Sequence, residues 1–228
     1  MHPLESDLRA GISALGHALA DGQVAQLLSY LDLIQKWTKV YNLTAVRDPA
    51  EMLTHHLLDS LAVIAPLQKQ LQASGGGVHG GNAEPLTPKR LLDVGSGAGL
   101  PGVVIAICLP DVVVHCVDTV AKKAAFIQQV AVTLKLPNLR GIHARVENLT
   151  DSYDVVSSRA FASLVDFVTW SKKALAEQGV WMAMKGKHPA EELDALPGFA
   201  RVFHVEQLAV PGLGAERCIV WMRHAEPA

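Results

Sequence analysis

The stretch Leu91-Leu92-Asp93-Val94-Gly95-Ser96-Gly97-Ala98-Gly99-Leu100-Pro101-Gly102 joins an apolar run to a glycine-rich turn and then to a Pro-initiated helix. Glycines at such a turn let the backbone approach a ligand closely and expose the amides of the helix N-terminus to it. Gly97, Gly99 and Gly102 match GxGxxG literally, so a nicotinamide or flavin dinucleotide competes for this loop, and a lone motif of that kind is weak. Two acids bear on the choice. Asp93 lies inside the first expected strand just before the loop, where a carboxylate can face the amino-acid end of S-adenosylmethionine but repels a pyrophosphate. Asp118 ends the next apolar run, where it can accept hydrogen bonds from both hydroxyls of a ribose. It also reads as a plain strand-end turn residue, and NAD-binding folds place an acid there too.

The elements that must position these residues follow from periodicity. Apolar runs at 90–94, 112–117, 139–143, 155–157 and 180–184 read as strands, with helical patterns between them at 101–108, 121–134 and 163–177. That alternation implies a parallel doubly wound sheet. Two last runs, 203–209 and 218–222, flank a Pro-Gly loop and read as an antiparallel hairpin closing the sheet edge. Before residue 66 the spacing is helical: Leu27, Leu28, Leu31 and Ile34 recur three and four apart, as do Leu53, Leu57, Leu58, Leu61 and Ile64. Asp21 and Asp48 are expected N-caps, the latter followed by Pro49 at the first helical position. Residues 73–88 are glycine, proline and small polar residues, a composition that suits a flexible connection. The expected organisation is a helical element over 1–72, the connection over 73–88 and an α/β catalytic domain over 89–228.

At 228 residues and 50% hydrophobic, the chain can bury a full α/β core beside a smaller element. The net charge of -2 lacks a global basic signature, so any nucleic-acid contact must come from local patches. Cys108, Cys116 and Cys218 are odd in number and far from CxxC spacing, which predicts buried thiols in a reducing compartment. With no apolar leader and no apolar run of about eighteen residues, the expectation is a soluble, cytoplasmic protein. His55 and His56 are adjacent, point to different faces of a helix and cannot chelate one ion, so no metal is expected. Trp37, Trp170, Trp181 and Trp221 are read as core or rim rather than base-stacking platforms, none belonging to a basic-aromatic cluster. Lys122 and Lys123 read either as a solvated helix face or as an RNA contact.

Spread over residues 41 to 217, a set of short motifs is far more specific than the glycine loop. They are Tyr41-Asn42-Leu43-Thr44-Ala45, His56-Leu57-Leu58-Asp59-Ser60, Asp93 to Gly102, Lys122-Lys123, Arg145-Val146-Glu147, Ser158-Arg159-Ala160-Phe161, Lys185-Gly186 and Glu216-Arg217. In these the sequence closely resembles the RsmG (GidB) family of bacterial 16S rRNA guanine-N7 methyltransferases, which modify guanine 527. The resemblance implies a Rossmann-like class I S-adenosylmethionine-dependent methyltransferase fold, with a mostly parallel seven-stranded sheet, a C-terminal antiparallel hairpin and an N-terminal helical extension. It implies that Gly95 and Leu100 line the methionine and sulfonium region, that Val146 and Glu147 contact the adenine end, and that Arg159 lies beside the donor. Asn42, Arg145, Arg159 and Arg217 match positions that place the guanine or the RNA, and Lys122, Lys123, Arg145 and Arg217 are the implied RNA contacts. Asn42 also reads as a turn residue and Arg217 as a hairpin-edge charge. Two departures stand out: Cys218 and Ile219 follow Arg217 where the family commonly has histidine and leucine, and the 73–88 connection is longer than usual.

The expected partner is 16S rRNA or the small ribosomal subunit, as an assembly intermediate or the 30S particle, with neither membrane nor DNA involved. A guanine N7 already carries an in-plane lone pair, so an enzyme acting there needs alignment more than it needs a base. The residues agree. No Asn-Pro-Pro-Tyr tetrapeptide and no Pro-Cys nucleophile follows the fourth expected strand, and Ser158-Arg159-Ala160 stands there instead. The competing classes are a Rossmann oxidoreductase binding NAD or FAD and an inactive RNA-binding module.

Overall fold

A period of two along the central strands decides which side chains meet which layer. Leu91, Val155, Val180, Met182, Met184, Ile219 and Trp221 enter one buried cluster, while their neighbours Leu92, Val156, Trp181, Ala183, Val220 and Met222 enter the other. A strand buried on both faces needs cover on both, which is the requirement of a parallel sheet between helices. The computed structural model describes residues 2–73 and 87–226. It places β1 (Arg90–Val94), β2 (Val113–Asp118), β3 (Leu139–His143), β4 (Tyr153–Arg159) and β5 (Leu175–Lys185) in parallel. The hairpin of β6 (Ala200–Leu208) and β7 (Arg217–His224) completes seven strands in the order β3-β2-β1-β4-β5-β7-β6. Strand β7 runs antiparallel to β5. This is the expected Rossmann-like methyltransferase architecture.

On the N-terminal side lie α1 (Glu5–Ala14), α2 (Asp21–Tyr41) and α3 (Pro49–Met52). The last runs through a π-helical stretch, Leu53–Leu58, into α4 (Asp59–Leu61), and α5 (Ile64–Ala73) follows. Between strands come α6 (Gly102–Cys108), α7 (Ala121–Thr133), α8 (Leu164–Ser171) and α9 (Ala190–Asp194). Helices α2 and α4 pack on α6, and α2 also touches α7. The helical element therefore shares one buried cluster with a face of the sheet, in which Leu27, Leu31 and Ile34 join Val103, Ile105 and Ile127. Asp48 caps α3 as expected, accepting from the amides of Ala50 and Glu51. The three cysteines are free and buried. Among the described residues no helix is long and apolar enough to cross a membrane.

Three expectations need correcting or limiting. Ala20, not Asp21, is the N-cap of α2, and its amide is taken by the Gln23 side chain, while Asp21 turns outward to Arg9 at 2.8 Å. The helix expected over 163–177 stops at Ser171, followed by a 3-10 turn, because Leu175 is pulled into β5 opposite Tyr153. Here strand pairing overrides the local helical pattern. The expected connection lies outside the described residues from 74 to 86, and Ala73 still belongs to α5.

Because α6 has helices over it that come from residues 21–41 and 59–61, a fragment lacking residues 1–72 should expose that face, bind a hydrophobic dye and lose its cooperative thermal transition. In the full chain, truncating the fully buried Leu31 to Ala should lower stability by about 2–5 kcal/mol in urea denaturation. A fragment that melts cooperatively would show that the sheet stands alone.

Candidate active site

The strand order reverses between β1 and β4, and in sheets of this kind ligands sit in the crevice beyond the carboxyl ends of the strands at that point. The glycine loop crosses it. The amides of Gly95 and Ser96 donate to the Val117 carbonyl at 2.9 and 3.3 Å, which ties the loop to β2. From behind, the buried Tyr30 hydroxyl of α2 donates to the Ala98 carbonyl at 2.6 Å. Gly97 takes φ +59°, and a Cβ there would meet nothing closer than the Gly95 carbonyl oxygen at 4.0 Å. The loop at Gly97 thus leaves open space beside its backbone, and its positive φ suits glycine. Gly102 is different: a Cβ would collide with Cys116 Sγ and Asp93, so this glycine serves packing of α6 on the sheet.

Asp93 does not face the crevice. It shares the face of Leu91, the face under α6, and is fully buried. Its carboxylate accepts from the Gly102 amide at 3.0 Å and the Ser157 hydroxyl at 2.9 Å. Burial pushes its pKa up to about 6 against the pull of those two hydrogen bonds. Asp93 is expected at the donor's amino-acid end. The strand's two-residue period instead makes it an anchor for the N-terminus of α6. Leu100 is likewise buried behind the loop.

A cleft of about 350 Å³ runs between the loop and the ends of β2 and β3, with Gly95, Asp118, Arg145, Val146, Glu147 and Trp170 on its walls. Asp118 is held by the amides of Gly97 at 3.1 Å and Val120 at 2.8 Å, with the Lys123 ammonium at 3.6 Å. A carboxylate offers about four acceptor positions, so these contacts leave room for a hydroxyl. The Lys123 ammonium thus pairs with Asp118 while its side chain stays partly exposed. Arg145 is exposed at the rim and pairs with Glu147 at 3.3 Å.

A second cleft, of about 340 Å³, lies beyond the end of β4, and Ala160 and Phe161 line both. Its chemistry centres on Asp59, 2% exposed, at the end of the π-helical stretch. One carboxylate oxygen accepts from Arg159 Nη1 and the other from Arg217 Nε, each at 2.8 Å. Arg159 Nη1 also donates to the His55 carbonyl at 2.8 Å, so the π-helical turn contributes directly to this cluster. On the far wall, Lys185 Nζ reaches both carboxylate oxygens of Glu192, at 3.0 and 2.8 Å. His56 is buried beside the cluster with Nε2 2.9 Å from the Thr44 hydroxyl. Burial, and then Arg159, push its imidazole down to about 4.

Of the four positions expected to place the guanine, the structure gathers Arg159 and Arg217 on one carboxylate, sets Arg145 at the rim of the other cleft and leaves Asn42 outside the residues lining either. Asn42 is the left-handed C-cap of α2, φ 51°, and its side-chain oxygen accepts from Arg47 Nη2 at 2.7 Å. Sequence reasoning did not select Asp59, Lys185 or Phe161 as site residues. Only Asp59 had a signal of its own, a carboxylate inside the apolar run Leu57-Leu58-Asp59-Ser60-Leu61, since a buried charge demands a partner.

The GidB family, described as rRNA small subunit methyltransferase G, matches residues 23–220. The ribosomal RNA small subunit methyltransferase G of Polaromonas sp. (strain JS666 / ATCC BAA-500) is 68% identical over 219 residues, covering 96% of this chain and 93% of that protein. Its counterpart in Albidiferax ferrireducens is 66% identical over 226 residues, 99% of each. Among solved structures, coclaurine N-methyltransferase bound to N-methylheliamine and SAH aligns with a TM-score of 0.54 over 96% of this chain and 94% of that one. At 11% identity that likeness concerns the fold alone.

Two outcomes are expected of the Asp59 cluster. Asp59→Ala leaves two guanidinium groups without their shared counter-ion, which should cost about 3 kcal/mol in denaturant titration while S-adenosylhomocysteine affinity stays unchanged. For His56, the folded value of about 4 lies below the ordinary 6.5, so its contribution to stability is fully present above about pH 6.5 and is lost as pH falls toward 4. Its imidazole resonances should show no titration between pH 6 and 8 on the reference scale. A midpoint near 6.5 would mean that the ring is solvated.

Proposed function

This chain belongs to the GidB family, rRNA small subunit methyltransferase G, and on that premise we propose that it transfers a methyl group from S-adenosylmethionine to N7 of guanine 527 in 16S ribosomal RNA. The observation that carries the reading is the meeting of two clefts at Ala160 and Phe161, one walled by Asp118 and Glu147, the other by Arg159, Arg217 and Lys185. Membership in a methyltransferase family leaves no support for the oxidoreductase or for an inactive RNA module.

The residues present fit the donor. Gly97 leaves open space beside the loop, Asp118 has acceptor capacity for a ribose at the end of β2, and Val146 and Glu147, on the wall of the same cleft, suit the adenine end. When bound, S-adenosylmethionine supplies a methyl group activated on its sulfonium. The protein's part is alignment. Asp59 fixes the two arginines, whose remaining N–H groups are free to hold a guanine edge or a phosphate. Phe161 and the glycine loop narrow the space between the clefts and limit water there. No proton leaves N7 before transfer, and none of the buried acid–base groups is needed: His56 stays neutral, and Asp93 is sealed behind the loop. The transfer proposed here calls for no metal.

A base must leave its stack to enter the second cleft, and a loop base costs least to extrude. The substrate we propose is accordingly an exposed guanine of small-subunit RNA, in an assembly intermediate or the 30S particle, in the cytoplasm.

The atom that accepts the methyl group can be tested directly. With 7-deazaguanine at the target position, RNA should still bind and transfer should vanish. Single-turnover rates on unmodified RNA should be flat from about pH 7 to 8.5, a window above Asp93 and His56. Methylation of the deaza residue would place the acceptor elsewhere, and a tenfold rise per pH unit would reveal an essential base.

A further inference from the structure

The end of α2 and the start of α7 leave apolar and aromatic surface uncovered. Of the five large apolar side chains exposed among the described residues, three are here: Val40 at 68%, Tyr41 at 43% and Val120 at 44%. The Tyr41 ring is backed rather than loose. Trp37 lies 5.1 Å from it, tilted by 42°, and Trp37 in turn rests 5.2 Å from the buried Phe126. The Lys122 ammonium stands 5.2 Å from the Tyr41 ring centre. Lys36 and Lys39, on the same end of α2, are exposed as well. In a chain with net charge -2, three exposed lysines thus lie at this end of α2 and the start of α7, one of them over the aromatic ring.

Charge and position narrow the occupant. An exposed ring with a flexible ammonium over its face matches a nucleotide, which offers a π-face for the ring and, a few ångströms away, a phosphate for the ammonium. A protein partner would need a broader apolar area than three side chains rimmed by lysines. The patch also continues into the donor cleft, because Val120 lines that cleft and Lys123, next to Lys122, does too.

We propose that Tyr41 and Lys122 form a stacking platform for an unpaired base neighbouring the target guanine. The base lies on the Tyr41 ring, and the ammonium moves from the ring face to the adjoining phosphate. Trp37 and Phe126 hold the ring in place. The inference rests on the RNA substrate proposed above and adds a contact that fixes the register of the strand entering the site. Trp37 itself packs against the core, as expected of a core or rim residue, and backs the Tyr41 ring rather than stacking a base.

The test uses small-subunit particles lacking the methyl group. Tyr41→Ala should raise KM for the particle about tenfold, the magnitude of one lost base–aromatic stack. It should leave kcat within about twofold and S-adenosylhomocysteine affinity unchanged, and Tyr41→Phe should restore the parental KM. Tyr41 is exposed at a helix end, so equal donor affinity also verifies that the variant is folded. Lys122→Gln should lower the salt slope of binding by about one. A photo-crosslinking benzophenone amino acid at position 41 should label ribosomal RNA beside the target guanine. Parental KM in Tyr41→Ala overturns the platform while leaving the function intact, and so does a crosslink confined to a ribosomal protein. If the parent chain methylates no particle RNA, the function itself falls and the platform with it.

Discussion

A single buried carboxylate joins three distant parts of this chain. Asp59 sits at the end of the π-helical stretch, and its two oxygens bind Arg159, one hundred residues on, and Arg217, 158 residues on. Removing a carboxylate from water is costly, and the cost is met only by good geometry with opposite charges. The interaction therefore fixes more than itself. It sets the N-terminal helices against the ends of β4 and β7, and it aims two guanidinium groups along the wall of one cleft. The helical element thus contributes Asp59 to the lining of that cleft and is not only a cover laid over the sheet.

Asp93 applies the same physics to the other cleft. Its carboxylate is also fully buried, but its partners are an amide at the N-terminus of α6 and a hydroxyl on β4, with no cation in contact. Its pKa rises to about 6 as a result. A charge placed there is stabilised by the N-terminal amides and holds the start of α6 where the glycine loop must end. One acid thus secures the loop and the other secures the arginines. The two clefts touch where the loop and the Arg159 segment converge, at Phe161, whose ring would meet any side chain at Gly95.

The proposed transfer, which needs no general base, is compatible with this division. Of the groups with shifted pKa values near the site, Asp93 is occupied in holding the backbone at Gly102. His56 is kept neutral by burial, and its neighbour Arg159 adds to that effect. The clefts are lined by guanidinium and ammonium donors, carboxylate acceptors and apolar walls, a set suited to aligning two reactants. The aromatic surface at Tyr41 extends the same logic outward, with a backed ring for a base and ammonium groups for phosphates.

Local patterns carried much of this into the sequence. The glycine loop, the strand–helix alternation, the terminal hairpin and the Asp48 cap were legible because each depends on residues a few positions apart: a backbone that must take positive φ, a two-residue or 3.6-residue period, a side chain that reaches its own helix amides. The family motifs added the nature of the site. Tertiary structure alone decided the rest. It turned Asp93 away from the crevice, because the face of a strand residue is set by what covers the sheet. It ended α8 at Ser171, because pairing with β4 outweighed a helical pattern. It paired Lys123 with Asp118, separated Arg145 from Arg159 and Arg217, and brought Lys122 to Tyr41. Each of these rests on burial or charge supplied by segments distant along the chain, and spacing within a segment holds no record of what will pack against it.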